Sequence, residues 1–286
     1  MYEKFYDLSE RPFSITPDIQ FLYLGNQHEQ ALGTLRYGIT ERLGFSLLTG
    51  EVGAGKTILS RALINRIDQS EFATALLINP LLSTPELLTA INSDFGIKIK
   101  SESPQQLIQS LNEFLLKRAE KGRGALVVID EAQNLSHEAL EMIRMLTNLE
   151  TDKQKLLQIL LVGQPELIKK LKTHGLRQLN QRITTRVNLE PLVMVDMMRY
   201  INHRLSVAGA SGKVFFDPKA YRLIFKESQG YPRIINLLCD RALMATYVRE
   251  SYIVNKTAVK SAVVDWKGNR NSSLLFLKRF KRLFNF

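Results

Sequence analysis

The stretch "GEVGAGKT", Gly50 to Thr57, follows the apolar run "GFSLLTG" and leads into the helical pattern "KTILSRALINRI". It fills every fixed position of G-x-x-x-x-G-K-[ST] between a strand and a helix, the setting in which such a loop holds phosphates. In Gly50, Glu51, Val52, Gly53, Ala54 and Gly55 the backbone can curl so that its N–H groups face an anion, and the helix N-terminus adds positive potential. Lys56 reaches the terminal phosphates, the Thr57 hydroxyl is placed for Mg2+, and Ile58 continues the helix. A chance glycine-rich turn is the bland alternative; the complete motif in its strand–helix context argues against it.

Working outward, "ATALLIN", "ALVVID", "LLQILLVG" and "TTRVNLE" supply four further strands, separated by the helical patterns "TPELLTAINSDFG", "SPQQLIQSLNEFLLKRAEKG" and "SHEALEMIRMLTNLE". Ser/Thr-Pro pairs open the first two helices, and Ser136 is the expected N-cap of the third. The strands are continuous apolar runs, as parallel strands covered on both faces should be. The expected fold class is α/β: a P-loop NTPase parallel sheet with helices on both faces, followed by an all-α lid. The lid begins near Pro191, after which only helical patterns are read, up to Val264. The expected boundaries are an N-terminal element over 1–43, the ATPase base over 44–190, the lid over 191–266 and a basic amphipathic tail over 267–286.

The stretch "LVVIDEAQ", Leu126 to Gln133, ends an apolar strand on two acids. Asp130 can hold the Mg2+ shell of a bound triphosphate, and Glu131 can polarise a water for attack on the γ-phosphate. The pair argues for hydrolysis of ATP rather than mere sensing. Asn79 and Gln164 close two other strands; each is equally readable as an ordinary turn residue. Arg182 and Arg186 precede the boundary. Arg233 sits at a helix start, where its charge opposes the helix dipole, so an anionic target is expected.

Composition narrows the setting. The net charge is +11, yet Lys267 to Phe286 alone holds six basic residues and no acid, leaving +5 for the rest. The single cysteine, Cys239, cannot make an intrachain disulfide and reads as a buried thiol. No secretory signal or membrane-spanning run is read. The expected location is the cytoplasm or the inner face of a membrane. In the tail, "LLFLKRFKRLFNF", Phe276, Leu277, Phe280, Leu283 and Phe284 share one helical face, with Lys278, Lys281 and Arg282 opposite. That is the pattern of an interfacial helix on anionic lipid, or of a helix docked on protein.

These residues resemble the AAA+ ATPases and, more narrowly, the general secretion pathway protein A (GspA/ExeA) family. The opening "YEKFYDLSERPFSITPDIQFLYLGNQHEQALGTLRYGI" is similar to that family's N-terminal signature at Tyr2, Phe5, Leu8, Pro12, Phe13, Pro17, Asp18, His28, Ala31 and Leu32. "TGEVGAGKT", "VVIDEAQNL", "VGQPEL" and "GYPRIINLLCDRAL" follow in family order, so the resemblance covers about residues 1–265. It implies that Gln164 is the sensor 1 position, Arg233 the sensor 2 arginine, and Asn79 the polar residue that restrains the catalytic glutamate. It makes Arg182 the candidate arginine finger, with Arg186 second, acting in trans within a homo-oligomer or ring. It further implies that the N-terminal signature packs on the base near the nucleotide. Longer members continue into a transmembrane helix and a peptidoglycan-binding domain; this sequence ends at Phe286, and direct wall binding is not expected. The implied function is a Mg-dependent ATPase that drives or regulates a cell-envelope machine: type II secretion, a type IV or MSHA-type pilus, or an exopolysaccharide system, through unidentified assembly proteins. The alternatives are a DNA-binding ATPase of the transposition-regulator type, which would put nucleic acid among its partners, and a nucleotide-dependent interaction module with little turnover.

Overall fold

The computed structural model describes residues 2–78, 80–99, 103–151 and 154–268. Asn79 and the tail from Asn269 to Phe286 lie outside the described residues. Contacts divide the chain into two units, one of residues 26–52 and 56–190, the other of residues 2–25, 53–55 and 191–268.

The N-terminal segment opens with α1 (Tyr2–Phe5) and reaches α2 (Asn26–Thr40). The sheet unit then runs β1 (Phe45–Gly50), α3 (Lys56–Arg66), β2 (Phe72–Leu77), α4 (Thr84–Asp94), α5 (Pro104–Ala119), β3 (Gly124–Ile129), α6 (His137–Leu146), β4 (Leu157–Gly163), α7 (Pro165–Leu171), α8 (Arg177–Arg182) and β5 (Ile183–Leu189). The five strands form one sheet in the order β2-β3-β4-β1-β5, every pairing parallel. β1, β3 and β4 are buried along their whole length, which is why their sequences are apolar but for Ser46, Thr49 and Gln158. Helix starts follow local chemistry: the Glu86 carboxylate accepts from the Ser83 N–H (2.8 Å) at α4, and the Ser136 hydroxyl accepts from the Ala139 N–H (3.1 Å) at α6. At the open edge of β2, the Asp94 carboxylate accepts the Leu76 N–H (2.5 Å), closing a donor that a foreign strand could otherwise use.

Register positions the site. Leu77 pairs with Ile129, Ile129 with Leu161, and Thr49 with Gly163. The C-terminal ends of β1, β3 and β4 therefore align, and the residues that follow them emerge at the same edge of the sheet, where ligands bind in open parallel sheets.

The second unit contains α9 (Met194–Val207), α10 (Pro218–Ser228), α11 (Pro232–Tyr247) and α12 (Lys256–Trp266). It is not wholly helical: β6 (Phe215–Phe216) and β7 (Ile253–Val254) form a two-residue parallel pair. Such short strands leave no periodic signature, and the expectation of an all-α lid is corrected to that extent. The segment expected as one N-terminal element, 1–43, divides between the two units. α2 belongs to the sheet unit, whereas Tyr2, Tyr6, Leu8, Phe13 and Phe21 are buried in one core with Met197, Ile201, Leu238 and Leu243 of the helical unit. Polar contacts fasten this arm. Arg204, only 4% exposed, donates to the carbonyls of Pro12 (2.5 Å) and Ser14 (3.4 Å) and to the Tyr200 hydroxyl (3.1 Å), with its guanidinium over the Phe21 ring at 4.7 Å. Asn236 donates to the Ser14 carbonyl (3.2 Å) and accepts from Tyr200 (2.7 Å). Apolar burial drives the arm in, and these bonds satisfy the buried carbonyls at its bend. Cys239 lies in the same core, where burial pushes its thiol well up, so it is inert as a nucleophile. Among the described residues no helix is long and apolar enough to cross a membrane.

Candidate active site

The loop from Gly50 to Gly55 leaves β1 and turns into α3. Gly53 and Gly55 hold φ angles of 81° and 100°, in the region that side chains oppose, so glycine is what lets the loop close on itself. Lys56 follows, 5% exposed, and its ammonium donates to the carbonyls of Gly50 (2.8 Å) and Glu51 (3.0 Å). Burial pulls its pKa down from the usual lysine value, against the opposing influence of Glu131, Asp130 and nearby acids. Both acids thus share the electrostatic field of Lys56.

Asp130 directly follows β3 and is 2% exposed. Its N–H donates to the Leu77 carbonyl (2.9 Å), extending the β2–β3 ladder by one bond and fixing where the side chain begins. One carboxylate oxygen accepts the Thr57 hydroxyl (2.6 Å), the other the Glu131 N–H (2.9 Å). A hydroxyl and a carboxylate meeting at one point are the hard oxygen donors that suit Mg2+. Among the described residues no group of three or more His, Cys, Asp or Glu is arranged around a metal site.

Glu131 has a left-handed backbone (φ 54°, ψ 38°). For a residue with a Cβ this conformation costs about 1–2 kcal/mol, and strain of this kind collects at functional sites. Its carboxylate oxygen Oε2 accepts from the Gln164 amide (3.2 Å) and from the Gln133 amide (2.5 Å). Gln164 itself begins the turn after β4, as the N-cap position of α7.

The structure therefore brings together Lys56, Thr57, Asp130, Glu131 and Gln164 within the sheet unit. It does not bring Arg182 to them. That side chain, half-buried at the end of α8, donates to the Asn148 side chain (2.6 Å), the Thr147 hydroxyl (3.1 Å) and the Arg144 carbonyl (3.4 Å), around the C-terminal end of α6. Arg186 is exposed on β5 and donates to the Asn180 carbonyl (2.6 Å) and side chain (2.9 Å). Arg233 is exposed in the first turn of α11, in the helical unit. His28, on α2, is buried. The residue missed from sequence is Gln133. The signal was its position two residues after Glu131, within the same turn.

Comparison with known proteins agrees with this geometry. Residues 39–171 match the family model of the AAA domain. The chain is 43% identical over 272 residues to general secretion pathway protein A of Aeromonas hydrophila, covering 95% of this chain and 49% of that protein. It thus spans about half the length of this curated relative. Among solved structures, the ORC2 protein of Aeropyrum pernix, in ADPNP-ADP complexes, is similar at a TM-score of 0.66 and 18% identity, over 89% of this chain and 71% of that one. The RuvB Holliday junction branch migration motor of Thermotoga maritima gives 0.53 and 18%, over 84% and 68%. At such identities the likeness concerns the fold, a parallel-sheet P-loop NTPase. The chain thus carries an AAA domain over residues 39–171 and is, along 95% of its length, similar to general secretion pathway protein A.

Proposed function

We propose that this chain binds ATP with Mg2+ and hydrolyses it, and that turnover serves a cell-envelope machine of the secretion or pilus type. The observation that carries the first part is the meeting of Lys56, the Thr57–Asp130 pair and Glu131 at one edge of the sheet. Lys56 would exchange its loop carbonyls for phosphate oxygens, a charge-assisted contact. Thr57 and Asp130 would hold a Mg2+, which would supply neutralisation of phosphate charge. Asp130, already tied to the Glu131 N–H, sets the spacing between metal-binding and water-orienting carboxylates. Glu131 orients the attacking water and takes its proton, while Gln164 holds the far side of that carboxylate. Arg182, or Arg186 on β5, completes a neighbouring copy's site in a homo-oligomer, and Arg233 of the helical unit senses the nucleotide.

The relation to general secretion pathway protein A supports the envelope role; the basic amphipathic tail, outside the described residues, supports recruitment to anionic lipid. For hydrolysis, the test is phosphate release by the purified chain and by Glu131→Gln. The substitution should leave ATP bound and slow turnover by about 10²–10⁴-fold, the range of a lost general base. Near-wild-type turnover would move the base elsewhere. For the envelope role, loss of the gene should impair secretion or pilus display in its host, with rescue by the wild-type chain and not by a turnover-deficient one. Stimulation by duplex DNA with steep salt dependence would replace this role by the transposition-regulator one.

A further inference from the structure

Gln133 is held at three points. Its side-chain oxygen accepts the Gln164 backbone N–H (3.1 Å), its amide nitrogen donates to Glu131 Oε2 (2.5 Å), and its carbonyl accepts from the Lys170 ammonium (3.3 Å), which also donates to the Leu135 carbonyl. The first bond fixes which way the amide faces: with the oxygen committed to an N–H, the nitrogen must point at the carboxylate. β4 leaves room for this only because residue 163 is glycine; a Cβ there would stand 3.0 Å from the Gln133 side-chain oxygen. Two points of support, Gln164 and Lys170, belong to α7 and its cap, so that helix holds the turn that presents Glu131.

Both amides, from Gln133 and Gln164, meet the same carboxylate oxygen of Glu131. Oε1 takes neither of these bonds, and the carboxylate cannot rotate without losing two bonds. We infer that Gln133 is a positioning residue for hydrolysis: anchored by α7, it fixes the rotamer of Glu131 and leaves one defined oxygen for the water. This rests on the proposed role of Glu131 as the water-orienting base. Its role differs from that of Lys56 or Asp130, because its bonds run to Glu131 and to the segment of Gln164 and Lys170.

The test compares Gln133→Ala and Gln133→Glu with the wild type and with Glu131→Gln, in the full chain, by steady-state phosphate release across pH and by equilibrium binding of ATP·Mg2+. Gln133→Ala should lower kcat by about 10–100-fold, the scale of a misplaced catalytic group, with KM and ATP affinity nearly unchanged. Gln133→Glu should lower kcat as well, because its carboxylate cannot donate to Glu131 Oε2. An unchanged or raised kcat in Gln133→Ala would overturn the inference. So would a loss of ATP affinity parallel to the loss of kcat, since that is what mere structural damage produces. If Glu131→Gln turns over like the wild type, the hydrolytic role of Glu131 itself fails; if Glu131→Gln is inactive while Gln133→Ala is normal, only the role of Gln133 fails.

Discussion

Gly163→Ala separates the two jobs of one small residue. The added Cβ would stand 2.7 Å from Leu167 Cδ2 and 3.0 Å from the Gln133 side-chain oxygen. Carbon atoms in contact sit about 3.5–4.0 Å apart, so the Leu167 methyl must withdraw by roughly 1 Å. Leu167 is fully buried, and overpacking of this kind costs about 1–3 kcal/mol. For a domain of this size each kcal/mol lowers the melting temperature by about 2–4 °C, so a drop of roughly 2–12 °C is expected. The second contact asks the Gln133 oxygen to retreat by a few tenths of an ångström, which swings the amide away from Glu131. A tenfold fall in kcat, about 1.4 kcal/mol, is the order expected from a displacement well under 1 Å. The assay is a double-mutant cycle with Gln133→Ala, read in kcat and in melting temperature. In the Gln133→Ala background, Gly163→Ala should lose its effect on kcat and keep its effect on melting, because only the Leu167 clash remains. An equal effect on kcat in both backgrounds would refute the reasoning, since Gly163 would then act by some route other than Gln133.

Three further outcomes follow from the geometry. Lys56→Ala should abolish binding of ATP·Mg2+ measured by calorimetry while the chain stays folded, and unchanged affinity in a folded variant would remove Lys56 from the site. Arg182→Ala strips three acceptors at the end of α6 of a charged donor; a destabilisation of about 1–3 kcal/mol in denaturant titration is expected for such bonds. If Arg182 also acts in trans, ATPase per subunit should rise with concentration in the wild type and stay flat in the variant, whereas a concentration-independent wild-type rate would exclude that role. Anionic liposomes should sediment the full chain and not one ending at Gly268, with salt weakening the effect; equal recovery of both would show that the tail is not an anchor.

The sheet was legible because burial on both faces leaves a simple trace: β1, β3 and β4 are mostly apolar along their length, and the loop after β1 carries a motif whose spacing is set by phosphate geometry. Asp130 and Glu131 were legible for the related reason that two acids have no packing use at the end of such a strand. Other features were decided by tertiary contact. The aromatics of the N-terminal arm follow neither a 2.0 nor a 3.6 residue period, so Tyr2, Tyr6, Phe13 and Phe21 could be read as core but not assigned to one core rather than another. β6 and β7 are too short to leave any pattern. Gln133 depends on Gly163 and Gln164, thirty and thirty-one residues away, which only the register of β3 against β4 brings alongside.

The burial of that arm has a consequence for the order in which the protein can be made. Its core partners lie in α9 to α11, so the sheet unit, residues 26 to 190, sits in sequence between two parts of a single hydrophobic core. On the ribosome the sheet can close as soon as β5 has emerged, but the helical unit cannot. Synthesis runs at about 5–20 residues per second, so Tyr2, Tyr6, Phe13 and Phe21 wait roughly ten to fifty seconds for Leu238 and Leu243. During that interval five or so large side chains meant for the interior face solvent, a binding site for a chaperone and a point of entry for aggregation. Joining the separated pieces adds little thermodynamic cost, because loop-closure entropy grows only with the logarithm of the intervening length. The burden is kinetic. A circular permutant that opens the chain between two sheet-unit helices, α4 and α5, and links the original ends would place the arm beside α12 in sequence and shorten that wait.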